Sequence, residues 1–108
     1  MSEISADVIK LLAADRKNLQ LTLHVLERCR QRGISFPDIE NVLLHGEIIE
    51  QYPNDYPYPS CLELGFSVRG EYLHVCCGVG NNKLWLITAY YPSEKEWQPD
   101  MKTRKVVD

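Results

Sequence analysis

The sequence predicts an α+β fold, with N-terminal helices packed on one face of a small, mainly antiparallel sheet of four to five strands. Three observations carry this expectation. The apolar period is near 3.6 over roughly the first 45 residues and near 2 after Gly46. A cap-forming residue opens each helical stretch, and glycine closes the second and third. Residue pairs suited to tight hairpins separate the last three strand-like runs. A chain of 108 residues has the length of one compact domain, so residues 1–108 are read as a single unit.

The first helix is expected over residues 4–14. Ser5 caps it, Ile4 and Ile9 occupy hydrophobic-staple positions, and Val8, Leu11 and Leu12 continue the stripe. "DRKN" interrupts the period, and "LQL" at 19–21 alternates like a short strand. Thr22 is placed to cap a second helix from about Leu23 to Arg32, which Gly33 closes in the left-handed conformation. In the third helix Ser35 and Asp38 have capping-box spacing and Pro37 falls in the first turn. Phe36, Ile39, Val42 and Leu43 form its buried face, and His45 and Gly46 end it.

Beyond Gly46, "EIIEQY", "CLELGFSVR", "EYLHVCCGV" and "KLWLITAYY" read as four strands. Arg69-Gly70 and Asn81-Asn82 accept the positive φ angles of hairpin turns, so the last three strands form a meander. "PNDYPYPS" at 53–60 holds three prolines and reads as a surface loop. Alternation puts Leu62, Leu64, Phe66 and Val68 on one face of their strand, and Leu73, Val75, Cys77 and Val79 on one face of the next. Both sets are expected to meet the helices. Glu63, Tyr72, His74 and Cys76 then share the opposite face, together with either Thr88 and Tyr90 or Ala89 and Tyr91.

Composition narrows the function. A 44% hydrophobic and 25% charged chain is that of an ordinary globular protein. No apolar run approaches the roughly 18 residues that span a bilayer, and "MSEISADVIK" bears acids where a secretory signal is basic, so a cytoplasmic location without membrane attachment is expected. Cys29, Cys61, Cys76 and Cys77 include no C-x-x-C pair, and adjacent strand residues point apart, so they read as reduced and mostly buried. P-loop, dinucleotide-binding, nucleophile-elbow and zincin motifs are absent. The net charge of −3 counts against nucleic acid as a partner, although "RCRQR" at 28–32 and "KTRK" at 102–105 are basic.

At 100° per residue His24, Arg28 and Arg32 fall within an arc of about 80°. Such a stripe clamps a phosphate or is simply a solvated helix face. His74, between two core residues, is a general acid or base near neutral pH or a hydrogen-bonded sheet histidine. Tyr52, Tyr90 and Tyr91 stack on bases or serve packing alone. Lys102, Arg104 and Lys105 follow a packing anchor at Trp97. A metal site built on His24, His74 and a carboxylate lacks ligand spacing.

The strings "LTLHVLERCRQRGIS", "HGEIIEQYP", "LHVCCGV", "ITAYYPSEKEW" and "KTRK", in this order over residues 5–105, resemble a small bacterial domain family with the pattern T-x-H-x3-R-x3-R-G-I-S, G-E-I-I-E, L-H-V and T-x-Y-x-P-x4-W. That family is in turn similar to the RelE/BrnT-like toxins, and its own members are encoded beside small zinc-finger antitoxins of the MqsA kind. The resemblance implies a metal-independent messenger-RNA endoribonuclease without a cofactor, with RNA and such an antitoxin as partners. The motif positions it marks are Thr22, His24, Arg28, Arg32, Gly46, Glu47, His74, Thr88, Tyr90, Trp97 and Arg104, with Gly46 and Trp97 structural. Helical wheel, strand parity and this pattern together single out His74 or His24 as the base or acid, Tyr90 as a donor or stacking platform, and Arg28, Arg32 and Arg104 as the phosphate clamps. All of this requires the cationic edge of the second helix and the His74 imidazole to face one shared hollow. The alternative is a noncatalytic module that docks a partner chain on its proline-rich loop and an exposed strand edge.

Overall fold

The computed structural model describes residues 3–106. Helix α1 spans Ala6–Ala13, α2 Leu23–Gln31 and α3 Phe36–His45. The strands are β1 Leu19–Gln20, β2 Glu47–Tyr52, β3 Ser60–Phe66, β4 Tyr72–Gly80 and β5 Lys83–Tyr90. The expected α+β architecture is present, with the helices preceding most of the sheet.

The local signals act as anticipated. Ser5 accepts from Asp7 N–H and Thr22 from Val25 N–H, and Ser35 with Asp38 closes a reciprocal capping box. Gly33 has φ +74°, and the β4–β5 turn holds Asn81 and Asn82 at φ 54° and 58°, which asparagine tolerates better than most residues.

The sheet order is β1-β5-β4-β3-β2. β2 to β5 run antiparallel, and β1 adds the one parallel pairing, Leu19 to Leu84 and Gln20 to Trp85. The three helices cover one face. There Ile9, Ala13, Cys29, Ile34, Ile39, Val42 and Leu43 pack on Leu73, Val75, Cys77, Leu84 and Ala89.

The register corrects one expectation. Leu62 pairs with Cys76, Leu64 with His74 and Phe66 with Tyr72, so these three β3 residues face away from the helices. β3 gives the helix face Cys61, Glu63 and Gly65 instead, opposite Cys77, Val75 and Leu73. Glu63 was expected on the other face; it is fully buried in the core, and neither carboxylate oxygen has a hydrogen-bond partner. Alternation alone misassigned it because β3 is covered on both faces and its more apolar set, Leu62, Leu64 and Phe66, lies on the strap side, while the helix side takes Cys61, Glu63 and Gly65. The second cover is residues 93–105, a strap folded on itself through a Trp97–Arg104 bridge and the Gln98 N–H to Thr103 C=O and Lys105 N–H to Glu96 C=O bonds. Helices, sheet and strap thus form three layers.

Candidate functional site

A bulge shapes the face beneath the strap. Glu47 pairs with Leu64 and Ile48 with Glu63, the register then shifts, and Glu50 pairs with Leu62 and Tyr52 with Ser60. The extra residue resets the alternation. Glu47, Glu50 and Tyr52 therefore all lie on the strap side, although Glu47 and Glu50 are three residues apart. Each acid meets a strap cation: Lys102 Nζ lies 3.2 Å from Glu47, and Arg104 grips Glu50 at 2.7 and 3.0 Å.

β4 and β5 supply the centre. His74 is 0% exposed. Its Nε2 lies 2.6 Å from the Met101 carbonyl oxygen and its Nδ1 3.2 Å from the Tyr90 hydroxyl. A carbonyl oxygen only accepts, so Nε2 carries the proton, and Nδ1 accepts from Tyr90 in the neutral ring. The Trp97 indole meets the imidazole edge-on at 4.5 Å, and the Arg104 guanidinium lies 4.6 Å above that indole.

Burial lowers the His74 pKa, against the Met101 carbonyl and the nearby Glu50 charge, which favour the cation. The Arg104 hydrogen bonds hold Glu50 below the usual carboxylate range, with help from the Tyr52 hydroxyl. Burial, and after it the bond to Glu50, pushes Tyr52 up to about 12. Tyr90 is raised by burial as well. Beside them Cys76 is half-buried, its thiol pushed up to about 11 by burial and by Cys61. All four cysteines are free, and Cys29, Cys61 and Cys77 are buried.

A second cluster lies on the helix side, where α2 crosses β5. His24, Arg28 and Arg32 line a groove of about 120 Å³ with Ile87, Thr88 and Ala89. His24 and Arg28 are exposed and in no ion pair among the described residues. Arg32 donates to the Ala89 carbonyl at 2.8 Å and the Thr88 hydroxyl at 3.3 Å. Because β1 covers only Leu84 and Trp85, Arg32 reaches β5 where its edge has no strand neighbour.

The expected single hollow is absent. His74 and Tyr90 face the strap, whereas His24, Arg28 and the body of α2 lie in the helix layer, with the sheet between. His74 is also walled in by Tyr90, Trp97 and Met101, so it contacts no ligand directly. The two clusters meet only around the β5 edge: Thr88 pairs with Cys76 and Tyr90 with His74, which puts Thr88, the residue Arg32 reaches, on the Tyr90 face. The register thereby selects Thr88 and Tyr90 over Ala89 and Tyr91. Glu50 was not singled out as a site residue, and Tyr52 was named only as a stacking candidate. The fifth letter of G-E-I-I-E carried the signal for Glu50, but only the bulge turns it toward Arg104. Separation of His24 from His74 removes the histidine pair that a metal site would need, and among the described residues no group of three or more His, Cys, Asp or Glu side chains is placed to hold a metal ion. No described helix is long and apolar enough to cross a membrane.

No curated protein and no solved structure matches this chain. A family model matches residues 21–91, from Leu21 ahead of the α2 cap to Tyr91 just past β5, and so takes in the groove and the sheet residues of the strap-side cluster while leaving out α1 and the strap. Over that span, well above half of its length, the chain belongs to the DUF4258 family, a domain of unknown function.

Proposed function

We propose that the chain is a toxin-like endoribonuclease that cleaves messenger RNA through the ribose 2′-OH. The observation that carries this reading is the convergence of Glu50, Tyr52, Tyr90 and Arg104 on one sheet face, joined to the cationic stripe of α2 by the Arg32–Thr88 contact. RNA crosses the β5 edge, with Arg28 and His24 against its backbone on the helix side and Arg104 near the scissile phosphate. Guanidinium groups suit this because they present paired donors to phosphate oxygens and stay charged.

In the reaction the Tyr90 oxygen takes the 2′-OH proton while its own proton passes to His74 Nδ1. The 2′ oxygen bonds to phosphorus, the P–O5′ bond breaks, the 5′ oxygen takes a proton from water, and the proton held on His74 returns through Tyr90 to neutralise the hydroxide so formed. The products are a 2′,3′-cyclic phosphate and a 5′-hydroxyl. Arg104 stabilises the charge that grows on the phosphorane. His74 acts as a positioning residue and proton store behind Tyr90, which accommodates its burial.

The test is incubation of long messenger RNA with the protein in EDTA, with product ends mapped. Expected are cyclic-phosphate ends and a loss of about 10²–10⁴ in rate for Tyr90→Phe, the usual range for a proton-transfer group. Arg28→Ala lowers affinity with less effect on the rate of bound RNA. Intact RNA at high protein excess, or unchanged cleavage by Tyr90→Phe and Arg104→Ala, defeats the proposal.

A second reading has its own support: six of the eight β5 residues lack a strand partner on the β1 side. A partner chain, such as a zinc-finger antitoxin, adds a strand there. Bound so, it also covers the edge that RNA crosses, and protection of the 86–90 amides from hydrogen exchange in a co-purified complex is the expected sign.

A further inference from the structure

The chemistry above leaves unused a cavity of about 430 Å³ at the end of the strap-side face, a size within the range of ligand pockets. One wall is aromatic. Phe66 and Tyr72 pair across β3 and β4, their rings stacked with centroids 5.2 Å apart, and they are 50% and 42% exposed. The rim is polar. Lys102 and Glu47 form their ion pair there, with Asp100 beside them. The Asn41 amide N–H donates to the Phe66 carbonyl at 2.8 Å, which fixes the amide and leaves its Oδ1 as an acceptor.

A stacked aromatic pair with its outer ring faces and edges exposed, beside a fixed acceptor and an ammonium group, suits a heteroaromatic ring with amino and keto groups. Position adds to the match. Tyr72 is two residues from His74 on the same face of β4, and Lys102 is two residues from Arg104 on the strap. A nucleotide whose phosphate lies at Arg104 thus has its neighbour's base within reach of the aromatic wall.

We propose that this cavity binds one unstacked nucleobase and sets the base preference of cleavage. The biological assignment rests on the ribonuclease reading, but binding is measurable without it. The probe is 2-aminopurine riboside 5′-monophosphate, whose fluorescence is quenched on stacking, titrated into the full chain and competed with each of the four natural ribonucleoside monophosphates. Saturable quenching is expected. Phe66→Ala or Tyr72→Ala weakens it about 5- to 150-fold, the usual worth of one base–aromatic stack. Tyr72→Phe retains it, which separates loss of stacking from loss of fold. Absence of quenching by the wild type, or equal quenching by a Phe66→Ala/Tyr72→Ala double variant, overturns the pocket. A protein that quenches the probe but cuts no RNA keeps the pocket and loses the nuclease. One that cleaves RNA while failing to quench loses the pocket and keeps the nuclease.

Discussion

Among the described residues Glu63 and His74 are the two largest fully buried ionisable side chains, and they answer pH in opposite directions. Burial of Glu63, eased only by the Lys10 charge, pushes its carboxyl up to about 8, above the roughly 4.3 of an unfolded chain. The folded state therefore holds the extra proton, and stability falls as pH rises from about 4.3 to about 8. Glu63→Leu, similar in size without the orphaned oxygens, is expected to flatten that slope. It should gain about 1–4 kcal/mol at pH 7.5, read by urea denaturation at several pH values. An unchanged slope would place the carboxyl in water. His74 behaves inversely: its folded pKa lies below the unfolded value of about 6.5. Its contribution is present above that value and lost as pH falls through the depressed one. With Trp85→Phe removing the other indole, Trp97 emission should shift on acidification below about pH 6.5 as the strap loosens, and His74→Phe should abolish the response.

At the scale of elements, the ends and turns carry their own instructions. Asp38 accepts from Ser35 N–H at 2.8 Å and from Val68 N–H at 2.7 Å, so one carboxylate caps α3 and pins the turn after β3. Burial alone would raise its pKa, yet these N–H donors hold it low. Asp38→Ala is expected to cost about 2 kcal/mol, since it loses a cap and leaves a second donor unmatched; Asp38→Asn, able to keep one acceptor, should cost less. Thermal unfolding measures both, and equal losses would argue against the shared-carboxylate role. The bulge in β2 acts at the same scale: it turns Glu50 to the strap side, where a regular strand would present Gln51 or Ile49.

Over the whole molecule, a net charge of −3 counts against a broad nucleic-acid surface, and the proposed phosphate contacts fall on Arg28, Arg32 and Arg104. Three contacts to single-stranded RNA give a slope of log K against log[salt] near −2, about −0.7 for each. Arg28→Ala should bring it to about −1.4, measured by fluorescence anisotropy of a labelled RNA held in EDTA. A slope near zero would remove RNA as the ligand. The layering also divides labour. The helix layer packs the core and carries the cationic stripe, while the strap buries His74 and brings Arg104 to Glu50.

The helices were readable because caps, glycines and a 3.6-residue period act within a few residues of chain, and Thr22, Gly33, Ser35 and Asp38 do what their types dictate. The hairpins at Gly70 and Asn81-Asn82 were equally local. Which face of β3 meets the helices was not, since both faces are covered and the more apolar one, Leu62, Leu64 and Phe66, lies away from the helices. Nor was the meeting of Arg104 with Glu50, or the parting of His24 from His74. These depend on a bulge and on cross-strand register, which link residues tens of positions apart. Sequence alone determined the elements and the candidate cationic stripe; only tertiary structure decided which side chains share a face, because strand pairing is a non-local choice that no short stretch of residues encodes.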